Sequence, residues 1–388
     1  MRLNLDKSLW KRVGLGEVVR NRNDYFDPRE NDALPYVAGP HIDRGCLSIR
    51  RYGLTTDDKF PPTFKRLFRS GDVLLHSRGI EKIGVVDRSG VTGEKLFVLR
   101  VADPKVLDQR FLPWLISSPV AGAYFRANFS GSVNKFLNWR PLAAMEIELP
   151  PLDEQKRLAD LLWAVEADRR ARLALLEAAQ EAEVGLLRDG FSFHWPRSTV
   201  SELGDVQLGQ QLHPKYRTGP RMRPYLRVAN VADNRLDLAD VASMDFSDRG
   251  ADRFLLKFGD VLLNEGQSIE LVGRCAMFRD EIPECYMQKT LLRFRAGPDI
   301  LPEFALAWFR RCFHLGDFAA VAKKTTSMAH LTAVRFSAMP MPCPSRTEQR
   351  ALVELVKSVE VTLAEIRKGI RANQCVRAAL LAETFGDN

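Results

Sequence analysis

Two stretches of this chain put cations beside hydroxyls and turn residues: RTGPRMRPYLR, Arg217 to Arg227, and AKKTTSMAH, Ala322 to His330. Lysine, arginine, serine, threonine and backbone N–H groups hold phosphate, while arginine or lysine reads guanine and asparagine or glutamine reads adenine. The accompanying glycine, proline and threonine place these groups on loops that can enter a groove. The candidates for contact with a polyanion are Lys215, Arg217, Arg221, Arg223, Arg227, Lys323, Lys324, Thr325 and Thr326 in the second half of the chain. In the first half they are Arg50, Arg51, Lys59, Lys65, Arg66, Arg69, Arg78, and the segment Ser132 to Lys135 with Asn134 inside it. Lys323 and Lys324 suit phosphate better than base edges.

Residues for bond-making chemistry do not assemble. Pro61-Pro62 stands in FPPT, without the aromatic of an Asn/Asp-Pro-Pro-aromatic methyltransferase motif, and there is no GxxxxGK[ST] loop. Gly14-Leu15-Gly16 lacks a third glycine. Glu81-Lys82 and Glu94-Lys95 lack the spacing of a nuclease core, and no HExxH occurs. Asp72 and Asp260, each in a Gly-Asp-Val context, read as turn aspartates leading into buried strands. The six cysteines form no CxxC pair and read as buried thiols of a reducing compartment.

Apolar content of 45% and charged content of 27% describe a globular chain of 388 residues, enough for two or three domains. MRLNLDKSLWKR has no apolar core of signal-peptide length, and Phe111 to Phe125, the longest uncharged stretch, falls short of the ~20 residues of a span. A cytoplasmic protein is expected. The net charge of +8 is unevenly spread: +7 over residues 1–150, −3 over 151–190, +3 over 191–344 and +1 over 345–388. The positive excess sits mainly in the two globular blocks, as suits a polyanion partner.

Behind these residues is a duplication. LPPLDEQKRLADLLWAVE (Leu149 to Glu166) and CPSRTEQRALVELVKSVE (Cys343 to Glu360) share seven of eighteen positions, among them Glu154/Glu348, Gln155/Gln349 and Glu166/Glu360. Gly71-Asp72-Val73-Leu74-Leu75 recurs as Gly259-Asp260-Val261-Leu262-Leu263, and Pro35-Tyr36-Val37 is matched by Pro224-Tyr225-Leu226. One unit of about 190 residues, too long for a solenoid repeat, therefore occurs twice. Each has a mixed block of short strands and helices followed by a long helix. Ser345 with Glu348 forms a capping box for the second long helix, and Asp153 and Glu154 place negative charge at the start of the first.

Both helices carry a stripe stepping by four and three. It runs Leu352, Val356, Val359, Leu363, Ile366, Ile370, then Asn373, Arg377 and Leu380 in the second. In the first it runs Leu158, Leu162, Val165, Arg169, Arg172, Leu176, Ala179, Glu183 and Leu186. Such a seam wants another helix. Two-fold duplication predicts that the long helices pair antiparallel with a globular block at each end. Arg169 and Arg172 are expected to face acidic residues of the partner helix or of another protein.

The PPLxEQ start and its echo, the repeated GDVLL strand, and the Gly131-Ser132 and Thr325-Thr326 segments before each proline stop resemble the specificity (S) subunit of type I restriction–modification systems. The resemblance covers essentially the whole chain. Unit two departs from it where Ser345-Arg346-Thr347 replaces Pro-Leu-Asp. It implies an α+β fold of two target-recognition domains, 1–151 and 191–344, with long helices at 152–190 and 345–388 as antiparallel coiled-coil spacers in pseudo-two-fold arrangement. It implies a non-catalytic chain that selects an asymmetric bipartite site on double-stranded DNA. Two adenine-N6 methyltransferase subunits using S-adenosylmethionine would dock on it, and two motor–nuclease subunits using ATP and magnesium would join for restriction. The chain itself would bind no cofactor or metal. A related methylation or phage-defence scaffold, or an adaptor that binds only proteins, are the alternatives.

Overall fold

The structure is a computed structural model that describes residues 3, 5–25, 27, 33–325 and 328–386. The fold is α+β, and the chain divides into two compact units. Unit 1 is Met1–Ala174 with Lys368–Asn388, and unit 2 is Leu175–Arg367, so each long helix contributes to both.

Each unit has the same four-stranded antiparallel sheet. In unit 1 the order is Val19–Asn21, Leu96–Val101, Val73–His76, Ile83–Val85. In unit 2 it is Gly204–Leu208, Leu291–Ala296, Val261–Asn264, Cys275–Met277. The repeated Val-Leu-Leu lies on an inner strand both times, which explains why it is apolar without alternation. Side chains alternate between faces, and both faces are covered. Val73 and Leu75 pack with Trp114 and Phe125, while Leu74 packs with Val37 and Phe68. Val261 and Leu263 pack with Trp308, while Leu262 packs with Tyr225 and Phe246.

The Gly-Asp before that strand has a defined task. Gly71 and Gly259 have φ of 86° and 88°, a left-handed turn that favours glycine. Each aspartate is buried. Asp72 accepts from the Arg69 N–H at 2.7 Å and from Arg100 Nε at 2.6 Å. Asp260 accepts from the Lys257 N–H at 2.8 Å and from Arg295 Nε at 2.7 Å. The turn reading holds, and each buried aspartate is in addition ion-paired to a partly exposed arginine.

The long helices span Leu152–Asp189 and Arg346–Phe385. Ser345 and Glu348 form the capping box, the Ser345 N–H donating to Glu348 Oε2 at 2.9 Å. The repeated glutamine joins each helix to its domain. Gln155 Nε2 donates to the Val106 and Pro150 carbonyls, both at 2.9 Å, and its Oε1 accepts from the Asp108 N–H at 2.9 Å. Gln349 Nε2 donates to the Asp299 and Pro344 carbonyls at 2.8 and 3.0 Å, and its Oε1 accepts from the Leu301 N–H at 2.8 Å. Both amides are buried, and each satisfies backbone groups that would otherwise lack partners.

Within each unit the helix halves run antiparallel. In unit 1, Leu158 and Leu162 share a core with Leu380 and Leu381, and Asn373 Nδ2 donates to the Val165 carbonyl at 2.9 Å. In unit 2, Leu187 shares a core with Leu352, Val353 and Val356. Of the seam positions, Leu158, Leu162, Leu352, Val356, Leu363, Ile366 and Ile370 are buried, and Val165, Leu176 and Val359 are half-buried.

Two expectations are corrected. Arg169 and Arg172 pair on their own helix, with Glu166 at 3.2 Å and Asp168 at 2.8 Å, because positions three and four apart share a helix face. Arg169 also donates to the Gly45 carbonyl at 3.0 Å. The thiols are not uniformly buried: Cys275, Cys285 and Cys312 are, Cys46 and Cys343 are half-buried, and Cys375 is exposed.

Candidate nucleic-acid interface

One basic hairpin lies at one end of each four-stranded sheet. In unit 1, the strand Val73–His76 leads into Ser77, whose N–H donates to the Lys95 carbonyl at 2.9 Å. The Ser77 carbonyl accepts from the Leu137 N–H at 2.8 Å. This fixes a tight hairpin closed by Ser130 and Phe136, which exchange backbone bonds of 2.8 and 2.9 Å. Its tip exposes Ser132, Asn134 and Lys135 together with Val133.

Unit 2 repeats the device. The Glu265 N–H donates to the Thr290 carbonyl at 3.0 Å, and the Glu265 carbonyl accepts from the Leu331 N–H at 2.7 Å. The hairpin is Lys323–Lys324 paired with Ala329–His330. Lys323, Lys324 and Thr325 are exposed on it, and Thr326 lies outside the described residues. Extended backbone, hydroxyls and uncompensated ammonium groups are the chemistry of phosphate contact.

Other candidates already have partners. Lys215 pairs with Asp248 at 2.9 Å, Arg221 with Asp252 at 2.9 Å, Arg223 with Glu284 at 2.7 Å and Arg227 with Asp240 at 2.6 Å. Three of the arginines in RTGPRMRPYLR therefore serve their own domain, and Arg217 is the one left exposed without a side-chain partner among the described residues. In unit 1, Arg51 pairs with Asp43, Arg66 Nη1 donates to the Leu96 carbonyl at 2.8 Å, and Arg69 lies 3.9 Å from Asp24. Burial lowers the Arg66 pKa. Lys65 sits over the Tyr25 ring at 5.7 Å. Arg50, Lys59 and Arg78 are exposed. The first-half candidates do not form one cluster.

Residues missed from the sequence lie at the same sheet end. Lys289 is exposed there, its N–H donating to the Gln210 carbonyl at 2.8 Å. Gln211, His213 and Arg249 line a cavity beside it. None belongs to a cation cluster, so charge counting passes over them. Among the described residues no group of three or more His, Cys, Asp or Glu is placed to hold a metal ion, and no helix is long and apolar enough to cross a membrane.

No family model matches the chain. A Methanocaldococcus jannaschii protein named as a type I restriction enzyme MjaX specificity subunit is 19% identical over 165 residues, which is 42% of this chain and 39% of that relative's length. A solved chain from a study of complex assembly and conformational transition in the type I R-M system aligns over 98% of this chain and 99% of its own, with a TM-score of 0.62 and 20% identity. The type I restriction-modification system S subunit from M. genitalium aligns over 100% of both chains, with a TM-score of 0.61 and 15% identity. This chain has the fold of the type I restriction–modification specificity subunit.

Proposed function

We propose that this chain is the non-catalytic DNA sequence-recognition subunit of a type I restriction–modification complex. Each unit takes one half of an asymmetric bipartite site on double-stranded DNA. The observation that carries the reading is the pairing of sameness with difference at the sheet ends. Both units pin a hairpin bearing lysine with serine or threonine to the residue after the repeated strand. Around that hairpin the loops differ, as two unlike half-sites require.

The long helices would dock two adenine-N6 methyltransferase subunits, which use S-adenosylmethionine, and two motor–nuclease subunits would join with ATP and magnesium. The residues of this chain bind and orient DNA for those partners, in the cytoplasm. The test is selection from a randomised duplex library by the full chain with the subunits that co-purify with it. One bipartite, asymmetric motif is the expected outcome. Salt-dependent binding with no enriched motif would overturn the reading.

A further inference from the structure

Unit 2 holds a cavity of about 380 Å³ between the segment after Gly204–Leu208 and the loop 248–254. Its wall is fixed. Gln210 is buried, with Nε2 donating to the Asp245 carbonyl at 3.1 Å and its N–H donating to the Met287 carbonyl at 3.0 Å. Tyr216 donates its hydroxyl to Asp248 at 2.7 Å, and Lys215 Nζ reaches the same carboxylate at 2.9 Å. Phe254 closes the floor as a buried ring. Against this frame stand Gln211 and Arg249, both exposed and neither with a side-chain hydrogen bond among the described residues.

The cavity and the lysine hairpin share one end of the sheet. Gln210 accepts from the Lys289 N–H, the next residue's carbonyl accepts from the Glu265 N–H, and the Glu265 carbonyl accepts from the Leu331 N–H that ends the hairpin. Phosphates held at the hairpin would bring base edges to the cavity rim. The hairpin recurs in unit 1 and so suits what both half-sites share. The rim does not recur: the displacement that sets Leu203 opposite Leu15 sets Gln211 opposite Asn23 and His213 opposite Tyr25. Glutamine bonds adenine at N6 and N7, and arginine bonds guanine at O6 and N7, in the major groove.

We infer that Gln211 and Arg249 are specificity-determining residues of the second half-site, reading base edges from the rim of this cavity. The inference rests on the proposed DNA-recognition role. Wild type, Gln211→Ala, Arg249→Ala and the double variant Lys323→Ala/Lys324→Ala would each select from a randomised duplex library, as the full chain with its co-purifying subunits. The two rim positions are exposed, and unchanged thermal unfolding of the variants controls for folding. The expected result is a loss of about tenfold or more in discrimination at one position of one half-site per rim variant, the other half unchanged. The lysine variant keeps the motif and weakens binding to every sequence. A wild-type motif selected with undiminished discrimination by both rim variants, or relaxation spread over both halves, would overturn the inference and leave the recognition role standing. Absence of any motif with the wild type would overturn the recognition role itself.

Discussion

Arg310 Nη1 lies 2.9 Å from Glu183 Oε1, joining a helix of the second mixed block to the first long helix. The same guanidinium reaches Glu360 on the second long helix at 3.4 Å and Asp233 at 3.0 Å. Its side chain is 2% exposed. Removing one partner of a buried pair leaves charge without compensation, at a cost of about 3–5 kcal/mol. Arg310→Ala is therefore expected to lower the urea midpoint of unfolding sharply. A midpoint within error of wild type would contradict the joint.

Asp233 gives this cluster an acid limit. Burial alone would raise its pKa, but the hydrogen bond from His314 and the Arg310 charge outweigh that and hold it at about 2, below the ordinary 3.8. A depressed folded pKa stabilises the fold above the unfolded value and is lost as pH falls through the folded value. Wild type should lose stability relative to Asp233→Asn as pH falls from 3.8 towards 2. Parallel acid-unfolding curves for the two proteins would show that this carboxylate is not the linked group.

The repeated glutamine makes three bonds to backbone groups in each unit. Gln349→Ala leaves the Leu301 N–H and the Asp299 and Pro344 carbonyls without that partner. A buried group left unsatisfied costs about 1–3 kcal/mol. Both Gln155→Ala and Gln349→Ala should lower stability by that order in equilibrium unfolding, without altering which DNA motif is selected.

Lys323 and Lys324 are expected to act on phosphate. Their double alanine variant should bind all duplexes more weakly, and the slope of log affinity against log salt should fall by about two. An unchanged slope would remove these lysines from the interface.

The architecture was legible where side chains repeat a task. Glu154-Gln155 and Glu348-Gln349 mark helix starts because each glutamine must satisfy the same backbone groups. The heptad stripe was legible because burial follows helical periodicity, and Leu352, Val356 and Leu363 are buried as it requires. The partners of arginines were not. Arg221, Arg223 and Arg227 meet Asp252, Glu284 and Asp240, acids from distant segments that the tertiary fold brings near and that no sequence spacing marks. Gln211 and Arg249 are not marked by the sequence because a cavity rim is made by two distant segments, and the acids Asp245, Asp248 and Asp252 around Arg249 cancel its charge in any count.

The most direct test of the recognition role is the N6-methyladenine map of the host genome with and without this gene, under expression of the partner methyltransferase. Deletion is predicted to erase one bipartite, asymmetric motif and leave every other motif intact. Survival of every motif with that methyltransferase active would contradict the role.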